Sequence, residues 1–249
     1  MAGRGVYTLF LKNVRTMEKP FNGEAMTTRA LKDTLYEQFA RIGKAVASPK
    51  RIELVDLLCQ GERSVDALAA AANMTVKNTS AQLKELRGAR LVETRKQGTR
   101  VYYRLADEAV CTLFFAVRDL ARARLTEVDK IMRDYFEARD DLEPVRREDL
   151  LRRVQSGNVV VLDVRPVEEY LAGHIPGAIS VPLPELENRL VDLPEGAEFV
   201  AYCRGPYCVF APNAIGHLRA KGFAARRLED GFPEWKFAGL PVAMGAEEG

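Results

Sequence analysis

Apolar positions change their spacing along this chain, and the changes mark out its elements. Leu31, Leu35, Phe39, Ile42 and Val46 recur every three or four residues, as on one helix face. Ser48-Pro49 then opens a second helix, with proline at its first position. It carries Ile52, Val55, Leu57 and Leu58 and stops near Gly61. Residues 64–72 read as a short alanine-rich helix, and Asn73-Met74-Thr75 as a turn and N-cap. A helix over 76–87 turns Val76, Thr79, Leu83 and Leu86 inward and presents Lys77, Asn78, Ser80, Gln82 and Lys84 outward. The period then falls to two over 91–95 and 100–105, two strands closed into a hairpin by Lys96-Gln97-Gly98-Thr99. One long helix is expected from Glu108 to Phe136, with an apolar stripe from Val110 to Tyr135. Beyond Pro144 the apolar residues come in continuous runs at 159–162 and 198–202, the pattern of buried strands. A helix over 211–221 follows the second run, with Pro212 in its first turn.

This order predicts a flexible arm (1–28), a helical domain (29–138), a linker (139–146), an α/β domain (147–243) and a short tail (244–249). The 249 residues are enough for two domains of ordinary size. Charge divides at the same place. Residues 1–140 hold 25 Lys and Arg against 18 Asp and Glu, whereas 141–249 hold 12 against 17. Only the first half is therefore expected to meet a polyanion. No run of 18 apolar residues suggests a membrane span, and no signal peptide is legible. Four cysteines without a scaffold-like pattern fit a reducing cytoplasm.

Two short helices joined by a three-residue turn, then a basic hairpin, form a winged helix-turn-helix pattern. Residues 77–104 hold eight Lys or Arg and two Asp or Glu. Lys77, Lys84, Arg95, Lys96 and Arg100 are candidates for phosphate contacts, and Asn78, Ser80 and Gln82 for reading bases of double-stranded DNA. The long apolar stripe argues for a homodimer seam, or for packing on the helix over 29–46. Residues 29–137, through Gly61-Glu-Arg-Ser-Val-Asp-Ala-Leu-Ala69, Gln82-Leu-Lys-Glu-Leu-Arg87 and Val101-Tyr-Tyr-Arg-Leu105, resemble the ArsR/SmtB family of winged-helix repressors. The resemblance implies a dimer that binds operator DNA and is released by a metal or redox signal. Residues 64–72 lack the family's metal-sensing Cys-x-Cys, so no metal is expected there. Arg90 stands where the family often has glycine before the wing, and is expected to fray the helix end or to add a phosphate contact. Cys59 and Cys111 are either inert buried residues or a candidate redox pair.

The second half centres on Tyr202-Cys203-Arg204-Gly205-Pro206-Tyr207-Cys208. Cys203 falls between a strand end and a helix start, where backbone N–H groups and Arg204 are expected to lower its pKa. A phosphatase loop would need arginine at 209, which is Val209, and the chain has no Cys-x-x-Cys pair for zinc. Together with 159–170, 173–182 and 231–242, this loop resembles the rhodanese family. The resemblance implies a parallel-sheet α/β domain in which Cys203 carries sulfur as a persulfide. The loop at Arg204, Gly205 and Cys208 would cradle that persulfide, and Asp163 and Arg165 would brace the loop. Arg204 would orient an anionic donor. The partners expected are a small sulfane donor and a thiol acceptor, with no cofactor. The reading is a sulfur-responsive DNA-binding regulator in two domains, one mainly α and one α/β. The alternative is a thiosulfate sulfurtransferase that its winged helix dimerises or localises.

Overall fold

The computed structural model describes residues 27–136, 144–157, 159–194 and 196–246. The expected arm through residue 26, the linker over 139–143 and the tail beyond 246 lie outside the described residues. The chain divides into two compact units, 1–42 and 43–249. Helix α1 (Thr28–Val46) begins in the first. Leu31, Leu35, Tyr36 and Phe39 are exposed along it.

The second unit starts with α2 (Pro49–Cys59), β1 (Arg63–Ser64), α3 (Val65–Ala71) and α4 (Val76–Gly88). The wing strands β2 (Val92–Gln97) and β3 (Arg100–Leu105) follow. Ser64 caps α3 by accepting from the Ala67 N–H at 3.2 Å, and Thr75 caps α4 by accepting from the Asn78 N–H at 3.2 Å. The turn between them places Asn73 at φ 48°, a left-handed conformation that asparagine tolerates. Strand β1 has no strand signature in the sequence; it pairs antiparallel with β3, giving a sheet ordered β1-β3-β2. Leu54, Leu68, Leu83 and Leu86 are fully buried between α2, α3 and α4. Thr79 is buried as expected, whereas Val76, expected inward, is 47% exposed in the first turn of α4.

Arg90 does not fray α4. The Leu91 N–H reaches the Leu86 carbonyl at 3.0 Å and the Arg90 N–H the Arg87 carbonyl at 2.9 Å, closing the helix in an orderly cap. The closure requires φ 60° at Arg90, a conformation glycine adopts without cost.

The long helix expected from 108 to 136 is two helices, α5 (Glu108–Arg124) and α6 (Thr126–Phe136), separated by an extended Leu125. The charges fit the break. Arg122 and Arg124 close α5, and Glu127 and Asp129 open α6, each sign facing the favourable end of a helix dipole.

Helix α7 (Arg147–Gln155) leads into the C-terminal sheet: β4 (Val160–Asp163), α8 (Val167–Ala172), β5 (Ile179–Ser180), α9 (Leu186–Arg189), β6 (Glu198–Tyr202), α10 (Phe210–Ala220), β7 (Ala224–Arg227) and α11 (Phe232–Phe237). The four strands are parallel in the order β5-β4-β6-β7. Along β6, Phe199 and Ala201 face the core that holds Ile215 and Leu218, while Val200 and Tyr202 face Leu150 and Trp235. Both faces are therefore covered, as a parallel sheet requires. Val145, assigned to the linker by its sequence, is buried and adds a parallel bridge to Leu228 at the sheet edge. No described helix is long and apolar enough to cross a membrane.

Arg90→Gly is expected to stabilise the fold by about 0.5–1 kcal/mol, the left-handed strain relieved less the added chain entropy of glycine. Denaturant unfolding of the two proteins checks this; a lower midpoint for Arg90→Gly would contradict the cap geometry.

Candidate functional site

The end of β6 delivers Cys203 into the core, where it is 3% exposed beside Val164, Ala211 and Ile215. Backbone N–H groups of Gly205 and Ala211 approach its sulfur. Its thiol lies 3.6 Å from the Cys208 carbonyl and 3.8 Å from the Gly205 carbonyl. The expected lowering of the Cys203 pKa is not what this geometry gives. Burial is the largest influence and pushes the thiol well above its usual range, and the neighbouring Cys208 sulfur adds to the rise. Cys208 shifts the other way. The Cys203 S–H donates to it, N–H groups of Phe210 and Arg204 point at it, and the Arg204 guanidinium is near, all of which favour its thiolate. Of the two sulfurs it is therefore Cys208 whose thiolate these neighbours favour.

Arg204 is engaged within the protein. Its guanidinium is paired with Glu169 at 2.6 Å, and it stacks on Phe210 at 5.1 Å. Glu169 is 1% exposed and also takes Arg63 from β1. A second buried carboxylate, Glu234 on α11, pairs with Arg118 of α5 and accepts from the Gly231 N–H at 3.1 Å. Neither glutamate stands out in the sequence, since nothing in their local pattern separates them from solvated charges. Gly231 packs backbone to backbone on the loop; an added Cβ would lie 2.2 Å from the Gly205 nitrogen and 2.4 Å from the Arg204 carbonyl carbon.

Asp163 and Arg165 lie beneath the loop and are fully buried, 2.5 Å apart. Tyr202 donates to Asp163 at 2.6 Å, and Arg165 donates to the Gly173 carbonyl at 2.7 Å. Arg165 also donates to the Gln60 side-chain oxygen at 3.3 Å. Gln60, just past α2, turns its amide to the Arg204 carbonyl at 3.1 Å. One side chain of the helical domain thus joins the brace to the loop. The next residue, Gly61, has φ 149°, and a Cβ there would touch the Ala172 Cβ at 3.0 Å. The residue before, Cys59, is disulfide-bonded to Cys111 on α5, with Cα atoms 5.9 Å apart.

On the opposite side of α2, Arg51 donates to the Gln82 oxygen at 3.1 Å, and Gln82 donates to Asn78 at 3.3 Å. Lys77, Ser80, Lys84, Lys96 and Arg100 are exposed on α4 and the wing. Arg95 is drawn back onto the protein, paired with Glu62 at 2.5 Å and lying over Tyr102 at 4.9 Å. Among the described residues no group of three His, Cys, Asp or Glu is placed to hold a metal ion.

Two outcomes follow from the loop. Iodoacetamide at neutral pH is expected to alkylate Cys208 well before Cys203, read by peptide mass mapping; the reverse order would contradict the charge assignment. Gly231→Ala is expected to displace the loop and remove the difference in reactivity between the two thiols.

The description "Rhodanese-like domain" matches residues 146–238, and "Bacterial regulatory protein, arsR family" matches residues 48–94. Over 218 residues the chain is 47% identical to the HTH-type transcriptional regulator Rv0324 of Mycobacterium tuberculosis, covering 88% of this chain and 96% of that protein. A 43-residue stretch is 46% identical to the putative sulfur carrier protein YrkF of Bacillus subtilis, covering 17% of this chain and 23% of that protein. A solved homodimeric winged helix-turn-helix DNA-binding domain from Mycobacterium bovis is 44% identical, covering 41% of this chain and 93% of that one with a TM-score of 0.38. The chain belongs to the arsR family of bacterial regulatory proteins, in a form that joins the winged helix to a rhodanese-like domain.

Proposed function

We propose that this regulator binds operator DNA as a homodimer and responds to sulfane sulfur, which its rhodanese-like domain carries as a cysteine persulfide on the Cys203–Cys208 pair. The observation that carries the reading is the position of α2. Its C-terminal end holds the sulfur loop through Gln60 and carries Cys59 of the disulfide, while Arg51 in its first turn holds Gln82 on the exposed face of α4. A change at the sulfur loop and a change at the DNA-reading helix are thus borne by one rigid element. Exposed apolar residues on α1 and at Leu120, Leu125 and Ile131 favour self-association. The relative from Mycobacterium tuberculosis is a transcriptional regulator by name, and the solved relative is homodimeric.

The disulfide supplies a chemical readout. A persulfide on Cys59 or Cys111 is attacked by the other thiol, closing the S–S bond and releasing hydrogen sulfide, with no external oxidant. The same exchange is open to Cys203 and Cys208. The bonded pair also ties α2 to α5 across 52 residues of chain, worth about 4 kcal/mol by loop entropy alone.

Two measurements test this. Dimers are expected to bind a palindromic duplex with half-sites about one helical turn apart. The double charge reversal Lys96→Glu, Arg100→Glu is expected to cost at least about tenfold in affinity and, with two wings per dimer, to lower the salt slope by about four. Arg95, already neutralised by Glu62, is expected to matter less. Sulfane donor added to the reduced protein is expected to change operator affinity, and Cys59→Ser is expected to abolish the change. Unaltered DNA binding in the charge-reversed wing would refute the wing assignment. A donor response that survives in Cys59→Ser and in Cys208→Ser would refute the thiol readout.

A further inference from the structure

Helices α2 and α5 of the winged-helix half cover the loop at 203–208 and border a cavity of about 460 Å³ beside it. Every residue from Arg204 to Phe210 lines this space. Ile52 of α2, with Phe114, Val117 and Ala121 of α5, supplies much of the remaining wall. Cys203 Sγ lies 3.8 Å from the Gly205 carbonyl and 3.6 Å from the Cys208 carbonyl, both residues of the lining. The outer sulfur of a persulfide stands about 2 Å beyond Sγ. Sulfur carried on Cys203 is therefore delivered at the wall of this cavity.

The cover is fastened at several points. Gln60 donates to the Arg204 carbonyl at 3.1 Å. Arg63 pairs with Glu169, which also holds Arg204. Arg118 pairs with Glu234 and lies over the Tyr207 ring at 5.8 Å. A protein acceptor brings its cysteine on a surface, and a stable contact needs about 800 Å² on each partner. The ground beside the loop is already taken by α2 and α5. A small molecule needs only a cavity, and this one falls within the usual size of small-ligand sites. Its charged lining residues are Asp56, Arg118 and Arg204, and the two arginines are engaged by Glu234 and Glu169. The rest of the helical wall is apolar.

We infer that α2 and α5 set the acceptor specificity of the sulfur loop: they exclude protein acceptors and admit a small thiol, R–S–H, whose apolar R group packs on Phe114, Val117 and Ala121. This deepens the persulfide reading above and rests on it. In the step, the acceptor ionises and R–S⁻ attacks the outer sulfur of Cys203–S–S–H. The S–S bond to Cys203 breaks as a new one forms, giving R–S–S–H. Cys203 leaves as a thiolate and takes up the proton that the acceptor released, so no electrons enter or leave. Burial of Cys203 favours its protonated form and draws that proton back. An acceptor in the cavity touches the DNA-binding half and the sulfur loop at once.

Four acceptors separate the parts of the inference, with full-length protein, thiosulfate as donor and sulfite release as the readout. Cyanide has no body to fit. Mercaptoethanol and benzyl mercaptan are thiols of similar acidity, and only the second carries an apolar ring. Reduced thioredoxin presents its thiol on a protein. In wild type, kcat/KM for benzyl mercaptan is expected to exceed that for mercaptoethanol by about tenfold or more, the worth of one buried ring. Transfer to thioredoxin is expected to be at least about a hundredfold slower than transfer to benzyl mercaptan. Val117 is exposed rather than part of the buried core, so its replacement spares the fold. Val117→Trp, which fills the cavity, is expected to lower the ratio of benzyl mercaptan to mercaptoethanol about tenfold, and Val117→Ser about threefold. Transfer to thioredoxin as fast as to benzyl mercaptan would overturn the exclusion of protein acceptors. No preference for benzyl mercaptan in wild type, or a preference that neither variant changes, would overturn the acceptor class and the role of α5. No thiocyanate from cyanide, with thiosulfate or with benzenethiosulfonate as donor, would overturn the persulfide reading itself, and this inference with it.

Discussion

The buried guanidinium of Arg165 is the constraint from which the rest of the architecture follows. An arginine with no exposure is tolerated only when its charge and its donors are met. Asp163 meets the charge, the Gly173 carbonyl takes one donor, and Phe232 covers the face at 4.3 Å. Its Nη1 group donates to Gln60, which belongs to the winged helix. The C-terminal domain therefore does not complete its own core electrostatics. Loss of the Asp163 carboxylate would leave an uncompensated buried charge, at a cost of about 3–5 kcal/mol. Loss of the Gln60 amide would strand two polar groups of the C-terminal domain at once, Arg165 beneath the loop and the Arg204 carbonyl within it.

The same logic extends outward. Glu169 and Glu234 are buried acids whose cations come from the loop, from β1 and from α5. Each domain brings charges that it cannot satisfy alone. The loop at 203–208 lies in the middle of this exchange, joined to the end of α2 through Gln60. Arg204 lies near Cys208 and favours its thiolate, and Arg204 is held by Glu169. The proposed persulfide on the Cys203–Cys208 pair would alter the charge that those neighbours meet.

Much of this is legible in the chain. Periodicity places α2, α3, α4 and the wing, because each has a regular apolar face, and Thr75 marks the start of α4. Continuous apolar runs place β4 and β6, because a parallel sheet is covered on both faces. The break at Leu125 escapes periodicity because Leu125 continues the apolar stripe; the signal lies in the switch from Arg122 and Arg124 to Glu127 and Asp129. The order of the cysteine pKa shifts is misleading in the sequence for a similar reason. A helix start and an arginine stand beside Cys203, both of which lower a pKa, but burial at 3% exposure outweighs them. Gln60 and Arg51 carry no motif, and Glu169 and Glu234 lie within the rhodanese-like stretches with nothing to mark them as buried. Their roles arise only where two domains meet, and periodicity describes one element at a time.

The shared packing of residues 43–249 also bears on how this protein is divided. The arsR-family match ends at residue 94 and the rhodanese-like match begins at 146, which suggests two modules to be cut apart and studied singly. Gln60, Arg63 and Arg118 lie on the far side of that cut from the groups they satisfy. A fragment beginning near 144 would carry Arg165 and Glu169 with part of their partners removed, and would report on a site the intact chain never presents. The unit of folding here is larger than the unit of homology. Mass action then makes each half a stabiliser of the other: whatever binds the folded form of one raises the melting temperature of both.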